Sequence, residues 1–282
     1  MRLEDLPAGF IDRLIGELRS VPGVEAIALG GSRARGTAHP GSDVDLGIYF
    51  RPEASINVAK LDQVVSALDD RKTSGLITRI GEWGPWIVGG GWLKIEGRAV
   101  DLLYRNLGQV ESVVRDCRAG QITCDYQVGH PHGYPSSIYV GETAICQQLF
   151  DPARALERLK ALVVPYPQAM KRELIRRFGW EAQFSLDVGR KGIARADVSY
   201  VAGCAFRTVA CLVQVLFAVN EEHLINEKGS LAMAAGFVRC PDSLTERVTE
   251  AFASLVPNTT ALARTFDVLQ ALKVDVDSIA VP

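Results

Sequence analysis

The chain of 282 residues carries six cysteines, at 117, 124, 146, 204, 211 and 240, yet contains no Cys-x-x-Cys pair, and no histidine stands at metal-finger spacing from any of them. Zinc-finger and dithiol redox motifs are thereby excluded. Neither charge is in excess: 31 Lys plus Arg stand against 33 Asp plus Glu, a formal net charge of −2. Such a balance excludes a broad basic face that grips nucleic acid by its phosphates and leaves room only for a local patch. No nucleic-acid partner is expected. Internal repeats and low-complexity tracts are absent too, which excludes a solenoid. The opening MRLEDLPAGFIDRL lacks the charged-then-apolar order of an export signal. Reduced cysteines in a cytoplasmic protein are the resulting expectation.

One stretch is long enough to span a bilayer. From Val198 to Val219 the sequence is apolar except for Ser199, Tyr200, Arg207, Thr208 and Gln214. Arg207 near its middle costs about 2.5–3.5 kcal/mol on insertion scales, and no flanking pattern supports a span. The segment reads as a buried core helix, and no membrane partner is expected.

What is present suits a soluble chain of two domains. Hydrophobic residues make up 48% and charged residues 23%, enough for a substantial core under an ordinary surface. Residues 4–20 read as an amphipathic helix with Phe10, Leu14 and Leu18 on one face. A strand is expected over 24–29 and a helical turn over SRARG. A second strand is expected over 43–50 and a helix over 56–68. Residues 92–95 and 98–104 form a hairpin around Glu96-Gly97, a turn-type pair. Helices are expected over 107–118 and 136–149, with a loop over 128–135. Beyond Pro152 strand patterns vanish. Helical segments follow near 152–162, 166–188, 196–219, 229–236, 241–254 and 258–272. Strands first and helices later predict an α+β protein: a mixed sheet flanked by helices over 1–151, then a helical bundle over 152–282.

The chemistry concentrates in GGSRARGTAHPGSDVDLGIYF, residues 30–50. In Asp43-Val44-Asp45 the strand period of two puts both carboxylates on one face. Like charges so close repel, and a divalent cation between them relieves the repulsion. Magnesium prefers carboxylate and phosphate oxygens, so the pair points to metal plus phosphate. Gly30-Gly31-Ser32 supplies the complement. Glycines let backbone approach a phosphate, and a helix start aims free N–H groups at the anion. Arg33 or Arg35 adds charge, or is simply solvated.

Order and spacing carry more than either piece. Leu29-Gly30-Gly31-Ser32, a gap of ten residues, then Asp43-Val44-Asp45-Leu46 resembles the signature of the DNA polymerase beta-like nucleotidyltransferase superfamily. That resemblance implies a third carboxylate on a later strand. Asp101, in the apolar run RAVDLLY, is the best match, since a charge there is expensive without a partner. Glu82 and Glu96 sit at turns and match less well. The helical second half is similar, in architecture only, to the aminoglycoside and lincosamide nucleotidyltransferase branch.

The resemblance further implies one or two Mg²⁺ ions held by Asp43, Asp45 and Asp101. It implies an NTP donor, ATP above the others, and transfer of the nucleoside monophosphate to a hydroxyl with release of pyrophosphate. The expected acceptor is a small molecule of the aminoglycoside- or lincosamide-like kind. Asp101 serves as metal ligand or as general base. Gly30, Gly31, Ser32 and Arg35 are the expected nucleotide contacts, together with Lys228 and Arg207. Lys228 reaches a phosphate or is a solvated loop lysine; Arg207 needs a carboxylate or a phosphate. Glu181, Asp187 and Asp197 could draw a cationic acceptor or merely be solvated. His130 and His132 lack a third ligand at suitable spacing and read as a structural or acceptor loop. Trp83, Trp86 and Trp92 line a cleft or pack the hairpin. Two other readings stand beside this one: nucleotide transfer to a protein or tRNA, as in toxin–antitoxin systems, and a catalytically silent nucleotide-binding module.

Overall fold

Alternating side chains in the first half of the chain build a sheet with two unlike faces. The computed structural model describes residues 6–280. Helix α1 (Phe10–Leu18) buries Phe10, Leu14, Ile15 and Leu18. It starts later than its pattern suggested, after Pro7 and a left-handed Gly9 at φ 73°; residues 4 and 5 of the expected helix lie outside the described residues. Strand β1 (Ala26–Leu29), helix α2 (Gly31–Arg35) and strand β2 (Val44–Phe50) follow. Helix α3 (Val58–Leu68) is capped by Asn57, whose side chain accepts the Lys60 N–H. Strands β3 (Gly90–Ile95) and β4 (Arg98–Asn106) form the expected hairpin. Its turn residues Glu96 and Gly97 have φ 51° and 77°, the doubly left-handed geometry that matches strand twist.

Helix α4 (Leu107–Arg118) has the predicted bounds. Two short strands, β5 (Cys124–Asp125) and β6 (Tyr134–Pro135), pair with each other, so the expected loop over 128–135 ends in a strand. Helix α5 (Ser137–Ile145) is shorter than expected. Residues 147–150 are strand β7 (Gln147–Phe150), antiparallel to β1. The helical expectation for 136–149 fails there because four residues carry little periodic signal, while β1 offers an edge to bond to. Helix α6 (Ala155–Val163) completes this part of the chain.

The sheet order is β3-β4-β2-β1-β7, with β2 and β4 parallel and the other pairs antiparallel. Ile27, Leu29, Val44, Leu46, Ile48, Leu93, Val100 and Leu102 share a core with Phe10, Leu14, Leu61 and Val65 of α1 and α3. The opposite face of the central strands carries Asp45, Gly47 and Tyr49 of β2 against Asp101, Leu103 and Arg105 of β4.

By packing, the chain forms two units: Met1–Cys117 with Thr123–Pro165, and Arg118–Ile122 with Tyr166–Pro282. The second is helical. It contains α7 (Gln168–Gly189), a 3-10 segment over Arg190–Arg195, α8 (Val198–Val219), α9 (Ser230–Ala235), α10 (Leu244–Ala253) and α11 (Thr259–Ala280). Leu186, Val201, Ala205, Ala251, Leu262, Phe266 and Leu269 form its core. Asp197 caps α8 by accepting the Tyr200 N–H. Among the described helices, α8 is long and apolar enough to cross a membrane by length and composition, and 67% of its apolar window is buried inside the protein.

Candidate active site

The turn after β1 and the start of β2 are bound to each other. Gly30 donates its N–H to the Asp45 carbonyl at 2.8 Å. Gly31 sits at φ 59°, and a Cβ there would come 1.9 Å from Asp45 Oδ2. Both facts require glycine: the backbone is left-handed, and the space belongs to a carboxylate. Ser32 follows in the first turn of the five-residue α2, and Arg35 ends it, half-buried. Gly36, at φ 84°, closes the helix.

Arg33 has a different place from the one its charge suggested. It is buried, and its Nε and Nη2 donate to the carbonyls of Asp43 at 3.0 Å and Ser42 at 2.7 Å. A planar guanidinium suits such a two-point clamp. It ties the helix after the glycine turn to the last two residues before β2. Sequence reasoning missed this role, because the residues it joins are separated by a loop of unpatterned composition.

Asp45 of β2 lies directly beside Asp101 of β4 in the parallel register. Adjacent strands run about 4.8 Å apart, so the two carboxylates share one patch of the polar face. Asp43 sits one residue before β2 and is exposed. Asp101 in turn pairs with Trp92 of β3. A row therefore crosses the sheet from the Gly30-Gly31 turn through Asp45 and Asp101 to Trp92.

The donor set suits a hard divalent cation, since it offers only carboxylate oxygens. Among the described residues no group of three or more His, Cys, Asp or Glu side chains stands assembled as a metal cage. Magnesium does not need one; it is held by one or two carboxylates plus substrate phosphates.

Beneath Asp45 a small cavity of about 40 Å³ is lined by Gly30, Asp45, Tyr49, Arg105, Glu142 and Cys146, among others. Arg105 donates to both Glu142 oxygens, at 2.9 and 2.7 Å, and to its neighbour's carbonyl, Tyr104 O, at 3.1 Å. Burial works against the Arg105 charge, but the charge and hydrogen bonds of Glu142 outweigh it, so its pKa lies well above the usual range. Burial also pushes the Cys146 thiol up to about 11 and the Tyr49 hydroxyl well above its ordinary value. These groups are a fixed floor rather than proton carriers near neutral pH.

Further candidates have other partners. Glu82 accepts the Arg79 N–H, and Glu96 pairs with Arg13. Arg207 and Lys228 belong to the helical unit. There Arg207 pairs with Glu181 at 2.6 Å and lies over the Phe178 ring; the Lys228 backbone N–H donates to Asn226 and its side chain is exposed. Asp187 accepts from Gln183. His130 packs edge-on against Tyr134. Trp86 is buried, stacks on Tyr134, and donates its indole N–H to Asp125. Trp83 and Trp92 stack on each other.

Residues 11–88 match the family model described as the nucleotidyltransferase domain. The matched segment contains the glycine turn, Arg33, Asp43 and Asp45, and ends before Asp101. A solved structure, a nucleotidyltransferase-like protein from Exiguobacterium sibiricum 255-15, is similar at 11% identity, covering 95% of this chain and 75% of that one, with a TM-score of 0.45. Of the curated proteins compared with the chain, none matches.

Proposed function

From the premise that residues 11–88 are a nucleotidyltransferase domain and that nucleotidyl transfer is the general activity, we propose the following reaction. The chain moves a nucleoside monophosphate, AMP, from ATP to the hydroxyl of a small-molecule acceptor and releases pyrophosphate. The acceptor oxygen attacks the α-phosphorus, the bond from that phosphorus to the β-phosphate oxygen breaks, and the hydroxyl proton leaves to a carboxylate. The observation that carries this reading is the register pairing of Asp45 with Asp101 next to the glycine turn.

Asp43 and Asp45 would hold Mg²⁺. A bound magnesium ion supplies positive charge for the triphosphate oxygens. The Gly30-Gly31 turn and Ser32 receive the phosphates by close backbone approach. Arg33 sets the backbone that carries Asp43. Asp101, on the strand beyond Asp45, takes the proton of the acceptor hydroxyl. A positioned carboxylate does this when the acceptor hydroxyl lies within hydrogen-bond reach. Balanced overall charge supports a small acceptor over tRNA, and an aminoglycoside- or lincosamide-like compound is the class to try first. Six free cysteines suit a reducing, cytoplasmic setting.

The test is pyrophosphate release from labelled ATP, GTP, CTP and UTP with Mg²⁺ and a panel of aminoglycosides and lincosamides. Mass spectrometry then looks for the nucleotidyl adduct. Asp43→Asn and Asp45→Asn should each abolish metal-dependent release. Undiminished release in both variants would sink the mechanism.

A further inference from the structure

Trp92 is the structure's unused feature beside the carboxylates. It is 65% exposed, whereas the nearby Trp86 is 8% exposed. It stands on β3 in register with Asp101, so the indole and the carboxylate emerge on the same face of neighbouring strands. Trp83 stacks on it with ring centroids 4.6 Å apart and planes 24° apart.

The stack is built rather than incidental. Trp83 packs closely over Gly90, two residues before Trp92. A Cβ at Gly90 would come 3.1 Å from Trp83 Cζ3 and 1.8 Å from the Leu102 carbonyl oxygen. Arg71 holds the Trp92 carbonyl at 2.9 Å, and Asp69 accepts the Lys94 N–H at 2.7 Å, so the strand that presents the indole is tied at its outer edge. An indole left this open contributes little burial to the fold. Its face and its fixed orientation are suited to a ligand.

Position decides which ligand. Across the sheet the order is the glycine turn beside β1, then Asp45 on β2, Asp101 on β4 and Trp92 on β3. At about 4.8 Å per strand, Trp92 stands roughly 10 Å from Asp45, on the side away from the phosphate turn. We propose that Trp92, backed by Trp83, is the stacking platform for the acceptor, and that the acceptor presents a ring face to it with the reacting hydroxyl turned toward Asp101. The carboxylates beside the electron-rich indole face favour a ring that also bears a cationic amine. This assignment rests on the nucleotidyl-transfer reading for the word acceptor, but its test does not depend on turnover.

Calorimetry on the full chain would measure binding of kanamycin, of lincomycin and, as a ringless control, of 1,3-diaminopropan-2-ol, with ATP·Mg titrated separately. The ring compounds should bind the wild type more tightly than the control. W92A should weaken them about tenfold, W92F should stay close to wild type, and the ATP·Mg affinity should be unchanged. Were W92A to lose the fold, W92T carries the same comparison, since threonine suits an exposed strand position. Ring binding unchanged in W92A overturns the platform. So does ATP·Mg affinity falling in parallel, or no ring compound binding the wild type. Ring binding through Trp92 without pyrophosphate release upholds the platform and sinks the transfer reading instead.

Discussion

A Cβ on Gly31 would come 1.9 Å from Asp45 Oδ2. The turn that ends β1 and the carboxylate that opens the polar face of β2 therefore occupy one space. Gly31→Ala must push the Asp45 carboxylate aside and strain a backbone at φ 59°. A misplacement of about 1 Å at a reacting centre costs on the order of a hundredfold in rate. The expected outcome is loss of kcat by about that factor, with helical content unchanged by circular dichroism. Wild-type kcat in Gly31→Ala would show that Asp45 does not act from this position.

Arg33 reaches Asp43 only through the backbone, by its bonds to the Ser42 and Asp43 carbonyls. Arg33→Met should raise the Mg²⁺ concentration needed for half-maximal rate by roughly tenfold, because a ligand without orientation binds metal less well. KM for the nucleotide should move much less. Arg33→Lys, which keeps one donor point, should recover part of the loss. Equal losses in both variants, with no change in metal requirement, would mean that the clamp serves only folding.

Asp101 is paired with Asp45 by register, outside the segment that matches the family model. Asp101→Asn should lower kcat by about 10²–10⁴, the range for removal of a positioned proton acceptor. A double variant with Gly31→Ala, which displaces the Asp45 carboxylate, should lose less than the product of the two single losses, as residues acting as one unit do. A fully multiplicative loss would separate the two residues into independent roles.

Acid should loosen the outer edge of the sheet. Asp69 is buried and accepts from the Arg71 guanidinium, and from the backbone N–H groups of Lys94 and Arg71. The Arg71 hydrogen bonds, opposed by burial and aided by those N–H groups, hold its carboxyl well below the usual carboxylate range. A lowered folded-state pKa adds stability that is present above the unfolded value, near pH 4, and is lost as pH falls toward the folded one. Thermal melts from pH 7 to pH 2 should show Asp69→Ala converging on wild type at the acid end. At pH 7 the variant should be less stable by about 2–4 kcal/mol. A gap that does not narrow with acid would assign the loss to packing alone.

How much of this was legible depends on how far apart the partners lie. The hairpin turn at Glu96-Gly97 and the helix over 107–118 follow from residues a few positions apart, and both stand where local pattern put them. Strand β7 carries no local strand signal, because what makes it a strand is the edge of β1, more than a hundred residues earlier. In the sequence Arg33 shows only its charge, and its job as a backbone clamp appears once the loop over 37–42 folds back. The charge of Arg207 in an apolar helix asks for a carboxylate or a phosphate, and Glu181 one helix away is a carboxylate the structure supplies.

The sequence by itself determined the fold class and the local geometry of the Gly30-Gly31-Ser32 turn and the Asp43-Val44-Asp45 strand start. Period, turn chemistry and glycine's freedom act over a few residues and are written in their order. Only the tertiary structure decided that Asp101 stands beside Asp45, that Trp92 stands beside Asp101, and that Gly31 gives its space to a carboxylate. Those relations depend on strand register between distant segments, which a one-residue slip would reverse, and which the packing of the whole sheet against α1 and α3 settles.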